Sequence, residues 1–185
     1  MIDQLNPNSR RDRFGSKINR THSPLLAFAT PWLMIMVGSG LPVLPMVAGS
    51  PWFPPFGYLL LLSWRMIRPG VLPLWAGIPL GLVDDLFSGQ PFGSAVLLWS
   101  LSLLAIEGLE ARFPWRGFVQ DWLTAAVLVT LTLAFGAVFA GTGGLDDRLP
   151  LIGPQVLLSL LLFPMIGRMV ASFDRLRLLR IRTID

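Results

Sequence analysis

Residues 24–48 read PLLAFATPWLMIMVGSGLPVLPMVA, a run of 25 positions without one charged side chain. Wound as an α-helix it would be about 37 Å long. That is enough to cross a hydrocarbon layer of about 30 Å with some tilt. The rest of the chain repeats the theme. Of its 185 residues, 53% are hydrophobic and only 14% charged, whereas soluble domains carry about 25% charge to face water. The surplus apolar surface has its place in lipid and against other membrane helices, because a helix satisfies its own backbone there. The runs are closely spaced, so one compact all-α membrane domain is expected over 23–170. It is flanked by a disordered basic arm, 1–22, and a basic tail, 171–185.

Five further spans are predicted. Pro42 and Pro45 should stop the first helix, and GSPWFPP at 49–55 reads as a loop with Trp52 and Phe53 at the interface. Pro51–Ile67 and Val71–Phe87 flank the turn signal Pro69-Gly70. Each is about 26 Å as a helix and only just spans, so a re-entrant hairpin is the rival reading for this pair. Arg65 is expected to snorkel toward the headgroups. Phe92–Ile106, Trp122–Ala140 and Leu149–Gly167 complete the six, with GTGGLDDR at 141–148 as a turn. On this topology 14 of the 15 basic residues fall on the side of the two tails, and only Arg148 on the other. Short basic loops face the cytoplasm, which puts both termini there. The same distribution explains the pI near 11 as orientation and contact with anionic lipid, and argues against nucleic acid as a partner.

Little chemistry is on offer. Cysteine is absent and His22 is the only histidine, which removes thiolate chemistry and multi-histidine metal sites. No G-x-S-x-G, H-E-x-x-H or phosphate-binding G-x-x-x-x-G-K-[ST] pattern occurs, and no cofactor is implied. The most suggestive segment is Leu82-Val83-Asp84-Asp85-Leu86-Phe87-Ser88-Gly89-Gln90-Pro91-Phe92-Gly93. Carboxylates at the end of an apolar helix must face water, protein or the interface. The pair therefore marks a polar site, or simply ends the helix at the outer face. Neighbouring aspartates point about 100° apart and do not naturally chelate one ion. Glu107 and Glu110 share a face and read as a solvated interfacial cluster with Arg112 and Arg116. Gly77 with Gly81, and Gly136 with Ala140, have the small-xxx-small spacing of close helix packing. Pro164 should leave the Leu160 carbonyl without its helical donor and kink the last span.

Residues 55–107 resemble the central part of the rod shape-determining protein MreD family. The likeness lies in an apolar span, a basic turn, and a glycine-rich helix leading into an L-x-D-L-x-S-G-x-x-x-G-like segment, with Asp85, Ser88, Gly89 and Gly93 at the motif positions. Phe163-Pro164-Met165 followed by Arg168 is similar to that family's final span. The basic N-terminal arm is longer here, and Asp84 adds an acidic neighbour. The resemblance implies a non-enzymatic inner-membrane subunit of the bacterial elongation machinery. It would sit beside the single-span protein MreC and be linked to the MreB filament and the peptidoglycan elongation synthase. It also implies a six-transmembrane-helix bundle similar to the substrate-binding subunits of energy-coupling factor transporters. That supplies a second reading, a vitamin-binding transporter subunit. Such a subunit needs convergent polar groups inside the bundle, and the last two spans offer only Thr124, Thr130, Thr132, Gln155 and Ser159. A lipid-handling enzyme, the third reading, lacks a catalytic set.

Overall fold

A computed structural model describes residues 20–22, 24–43, 52–113, 117–139, 145–177 and 180–182. The body is helical: α1 (Pro24–Gly40), α2 (Phe56–Ile67), α3 (Gly77–Ser88), α4 (Ser94–Arg112), α5 (Phe118–Phe139) and α6 (Leu145–Arg177). Two three-residue strands stand outside it. Arg20–His22 pairs antiparallel with Arg180–Arg182, so the segment entering the first helix meets the segment leaving the last.

α2 is the hub. All nine residues from Gly57 to Arg65 are buried, and the helix touches α1, α4, α5 and α6. A helix that is apolar all round belongs at the centre of a bundle, and YLLLLSW has no polar face to turn outward. Its neighbours each bury one stripe. Pro31, Ile35, Gly38 and Ser39 are buried on α1, and Leu98, Trp99, Ser102, Leu103 and Ile106 on α4. The opposite faces are not polar: Leu97, Leu101 and Leu104 on α4 are exposed, as are Leu123, Val127, Leu131 and Phe135 on α5. Apolar side chains both inside and outside suit a bundle whose surroundings are lipid. Among the described residues, three helices are long and apolar enough to cross a membrane: α4, α5 and residues 152–175 of α6.

The short spans are shorter than the sequence suggests. α2 and α3 have 12 residues each, about 18 Å of helix. Phe53–Pro55 is not helical, as the loop reading of GSPWFPP requires, and the first helical bond of α2 is the one Leu59 N–H donates to the Pro55 carbonyl (3.0 Å). Pro54 and Pro55 have no N–H to satisfy, and Gln155 Nε2 of α6 donates to the Phe53 carbonyl at 2.7 Å. Non-helical backbone inside a bundle is tolerable on those terms. Likewise α3 starts only at Gly77, after a 3-10 turn at Leu74–Ala76. Pro79 falls in the first turn of α3, where its missing N–H is not needed.

Other elements overrun their expected ends. α4 continues from Ile106 to Arg112. α6 is 33 residues long, so Leu145–Arg148 is helix instead of turn, and the helix carries on through Arg177 into the segment read as a tail. Met1–Asn19, Pro45, Arg116 and Ala140, on which earlier expectations fell, lie outside the described residues.

The glycine spacing on α3 has its expected consequence. A Cβ on Gly77 would stand 2.8 Å from the Ser100 Cα, and one on Gly81 2.7 Å from the Val96 Cα. These neighbours are α4 backbone and cannot swing aside. Gly81→Ala is therefore expected to cost about 1–3 kcal/mol by forcing the two helices apart. Gly108→Ala, with open space around its α-carbon, should be neutral or stabilising. Unfolding in mixed SDS micelles measures both.

Candidate functional site

The α3–α4 connection is organised around one carboxylate. α3 ends on Gly89, which has φ +66°, and α4 opens from Gly93, with φ +94°. Both are left-handed conformations that favour glycine. Gly93, at the N-cap position of α4, has no side chain to cap it. The cap comes from the preceding helix. Asp85 Oδ2 accepts from the Gly93 N–H at 2.8 Å, and Oδ1 accepts from the Ala95 N–H at 2.9 Å and the Ser94 hydroxyl at 3.2 Å. Asp85 is 5% exposed. A buried carboxylate is tolerable there because it takes the orphan donors of a helix N-terminus and sits at the positive end of its dipole. The spacing D-L-x-S-G-x-x-x-G thus reads physically as cap donor, helix stop and helix start.

The two aspartates part company, as their angular separation requires. Asp85 turns to α4, while Asp84 faces the Ser39 hydroxyl on α1. Neither simply ends the helix at an open surface, since α3 runs on to Ser88 and Asp85 is enclosed. The Ser88 hydroxyl is buried without a hydrogen-bond partner among the described residues.

A second polar cluster closes the far end of the bundle. Arg65 does not snorkel; it is 3% exposed. Its Nη2 pairs with Glu107 and, at 2.8 Å, with Glu110 of α4. The two glutamates do share a face and both reach Arg65 of α2, with Glu107 still half exposed. One helical turn later, Arg68 Nε donates to Asp174 Oδ2 of α6 at 2.7 Å. The C-terminal end of α2 is thereby tied by ion pairs to α4 and to α6.

Pro164 and Arg168 lie elsewhere, on the wall of a cavity of about 430 Å³ between α2, α5 and α6. The consequence foreseen for Pro164 is met by a side chain the sequence did not single out: the Trp122 indole N–H of α5 donates to the Leu160 carbonyl at 3.1 Å. Trp122→Phe should cost about 1–2 kcal/mol by orphaning that carbonyl. On a Pro164→Ala background, where position 164 again has an N–H to offer, the same substitution should cost far less. The coupling is read from a double-mutant cycle on unfolding.

The structure therefore separates the sequence-predicted residues. Asp85, Gly89 and Gly93 form one unit, Pro164 and Arg168 another. Several polar groups of the bundle are hydrogen-bonded within the protein, although among the described residues the hydroxyls of Ser63, Ser88 and Ser100 are not. Tyr58 Oη lies 2.6 Å from Ser102 Oγ and faces Thr132. Thr124, Thr130 and Ser159 each bond back to a carbonyl four residues earlier, and Gln155 is held by Phe53. Among the described residues no three His, Cys, Asp or Glu side chains gather as a metal site would need. Among the described residues, the contacts of Asp85, Arg65 and Arg68 tie α3 to α4 and α2 to α4 and α6. The chain matches no family model, no curated protein and no solved structure.

Proposed function

We propose that this chain is a non-enzymatic, MreD-like scaffold of bacterial cell elongation, a six-span inner-membrane bundle with both termini cytoplasmic. It holds the single span of an MreC-type partner and thereby supports the MreB-linked synthesis of lateral peptidoglycan. The observation that carries this reading is the Asp85 clasp. The motif residues that carry the family resemblance clasp α3 and α4 into one hairpin, which suits a docking platform. Leu82 and Leu86 on α3 and Leu97, Leu101 and Leu104 on α4 are exposed. Docking of a single helix on that leucine-rich face requires close packing more than polar contacts. The meeting of Arg20–His22 with Arg180–Arg182 supports an even number of crossings, and the basic bias of those segments supports the cytoplasmic side. For α2 and α3, a crossing rests on their flanking segments as well as on 12 residues of helix apiece.

The transporter reading has less support, because Thr124, Thr130, Gln155 and Ser159 are already hydrogen-bonded within the protein. Co-purification from native membranes of a rod-shaped host decides between the two. The scaffold reading expects a single-span partner in the eluate, its loss when Leu101 and Leu104 are replaced by alanine, and rounded cells on depletion. Unchanged rods together with no such partner would sink it. Thermal stabilisation of the purified chain by a vitamin-like ligand would favour the transporter instead.

A further inference from the structure

The cavity between α2, α5 and α6 is absorbed by neither the clasp nor the leucine face. Its walls are apolar: Met66 and Ile67 of α2, Phe118 of α5, and Phe163, Gly167 and Ala171 of α6. Two features give it polarity. At its wall, the Ser63 hydroxyl of α2 is buried without a hydrogen-bond partner among the described residues, a costly state unless something accepts its proton. Arg168 also lines it, is exposed, and makes no ion pair among the described residues. Arg175, seven residues on, continues the same face of α6 and is exposed too. Asp121 of α5 also lines the cavity.

The position of the cavity matters as much as its lining. It lies beside the last turns of α2 and the first of α5, at the bundle end where Arg68 pairs with Asp174. An apolar slot that opens where the charged layer begins, with an arginine available at that level, has the polarity profile of a phospholipid. We infer that this groove is a site for one anionic membrane phospholipid, its acyl chain along the Phe163–Ala171 face and its phosphate on Arg168. The Ser63 hydroxyl donates to an ester carbonyl of the same molecule. Arg168 provides the selection by headgroup charge, since cationic side chains at the cytoplasmic surface attract anionic lipid.

Native mass spectrometry of the full chain, released from micelles doped with phosphatidylglycerol or phosphatidylcholine, tests this. The unaltered chain should retain a single phosphatidylglycerol at least fivefold more often than phosphatidylcholine. Arg168→Gln should bring the two to parity, and Gly167→Leu, which fills the slot, should abolish retention of both. If that variant fails to fold, Ser63→Ala serves in its place and should lower phosphatidylglycerol retention about threefold. Equal retention of both lipids by the unaltered chain overturns the proposal, as does retention indifferent to Arg168. A third arm uses the absence of native cysteine. Ala171→Cys crosslinked in native membranes to another protein, with no lipid retained by the unaltered chain, would assign the groove to a partner helix instead.

Discussion

Asp85→Ala should be the most damaging single substitution in the α3–α4 hairpin, lowering stability by about 2–4 kcal/mol. Hydrogen bonds to an ionised group contribute about 1.5–3 kcal/mol each way they are counted, and the greater cost is the donors left behind. Without the carboxylate, the N–H groups of Gly93 and Ala95 have no acceptor at a buried helix start. Asp85→Asn keeps the shape and one acceptor oxygen, but turns an amide N–H toward one of those donors, and should lose about half as much. Asp84→Asn is the control. It retains a polar group facing Ser39 and should stay within about 0.5 kcal/mol of the parent. SDS-driven unfolding of the three variants gives the order directly. Equal losses at 84 and 85 would show that the clasp is not what holds α4 in place. The same series bears on function, because a scaffold that depends on a rigid hairpin should lose partner retention in parallel with stability.

The second large effect is expected at Arg65. Removing one member of a buried ion cluster typically costs 3–5 kcal/mol, since the remaining charges stay behind unpaired. Glu107 is half exposed here, with its side chain at 53%, while Glu110 is at 22%, so Arg65→Met is expected at the lower end, about 3 kcal/mol. Replacing all three residues together (Arg65→Met, Glu107→Gln, Glu110→Gln) should recover most of that loss, because neutral amides cost far less to desolvate than ions. Glu107→Gln alone should be mild and become milder with added salt, as an exposed partner is screened. A triple variant as unstable as Arg65→Met would show that the guanidinium matters for its packing, not for its charge.

Much of this was open to inspection in the residues themselves, and the parts that were not share a cause. Helix existence follows from local composition, so six apolar runs became six helices. Gly77 and Gly81 announce close approach by their spacing alone. Pro164 announces an orphaned carbonyl, because the missing N–H is a property of proline. Who answers that carbonyl is a long-range question: Trp122 lies 38 residues away in sequence from Leu160. Arg65 is the sharper case. An arginine at the end of an apolar run has two outcomes, headgroup or buried partner, and the choice rests on Glu107 and Glu110 lying within reach on another helix. Asp85 was legible as unusual, but its role as a cap depended on the path of the turn between residues 88 and 94. The starts of α2 and α3 fall later than composition alone indicates, because apolar residues precede them among prolines that a hydropathy count does not penalise.

The burial of α2 on every side also governs how the protein must be made. The translocon offers a nascent helix a choice between aqueous pore and lipid, and α2 is fitted to neither in isolation: it is short, and it carries Arg65. The carboxylates that neutralise that arginine emerge more than 40 residues later, and Asp174, which holds Arg68, more than 100 later. A crossing by α2 would therefore be a deferred event, with the central segment kept near the insertion machinery until the outer helices arrive to enclose it. Chains truncated after α3 should remain accessible to the aqueous phase, and those extended through α6 should not.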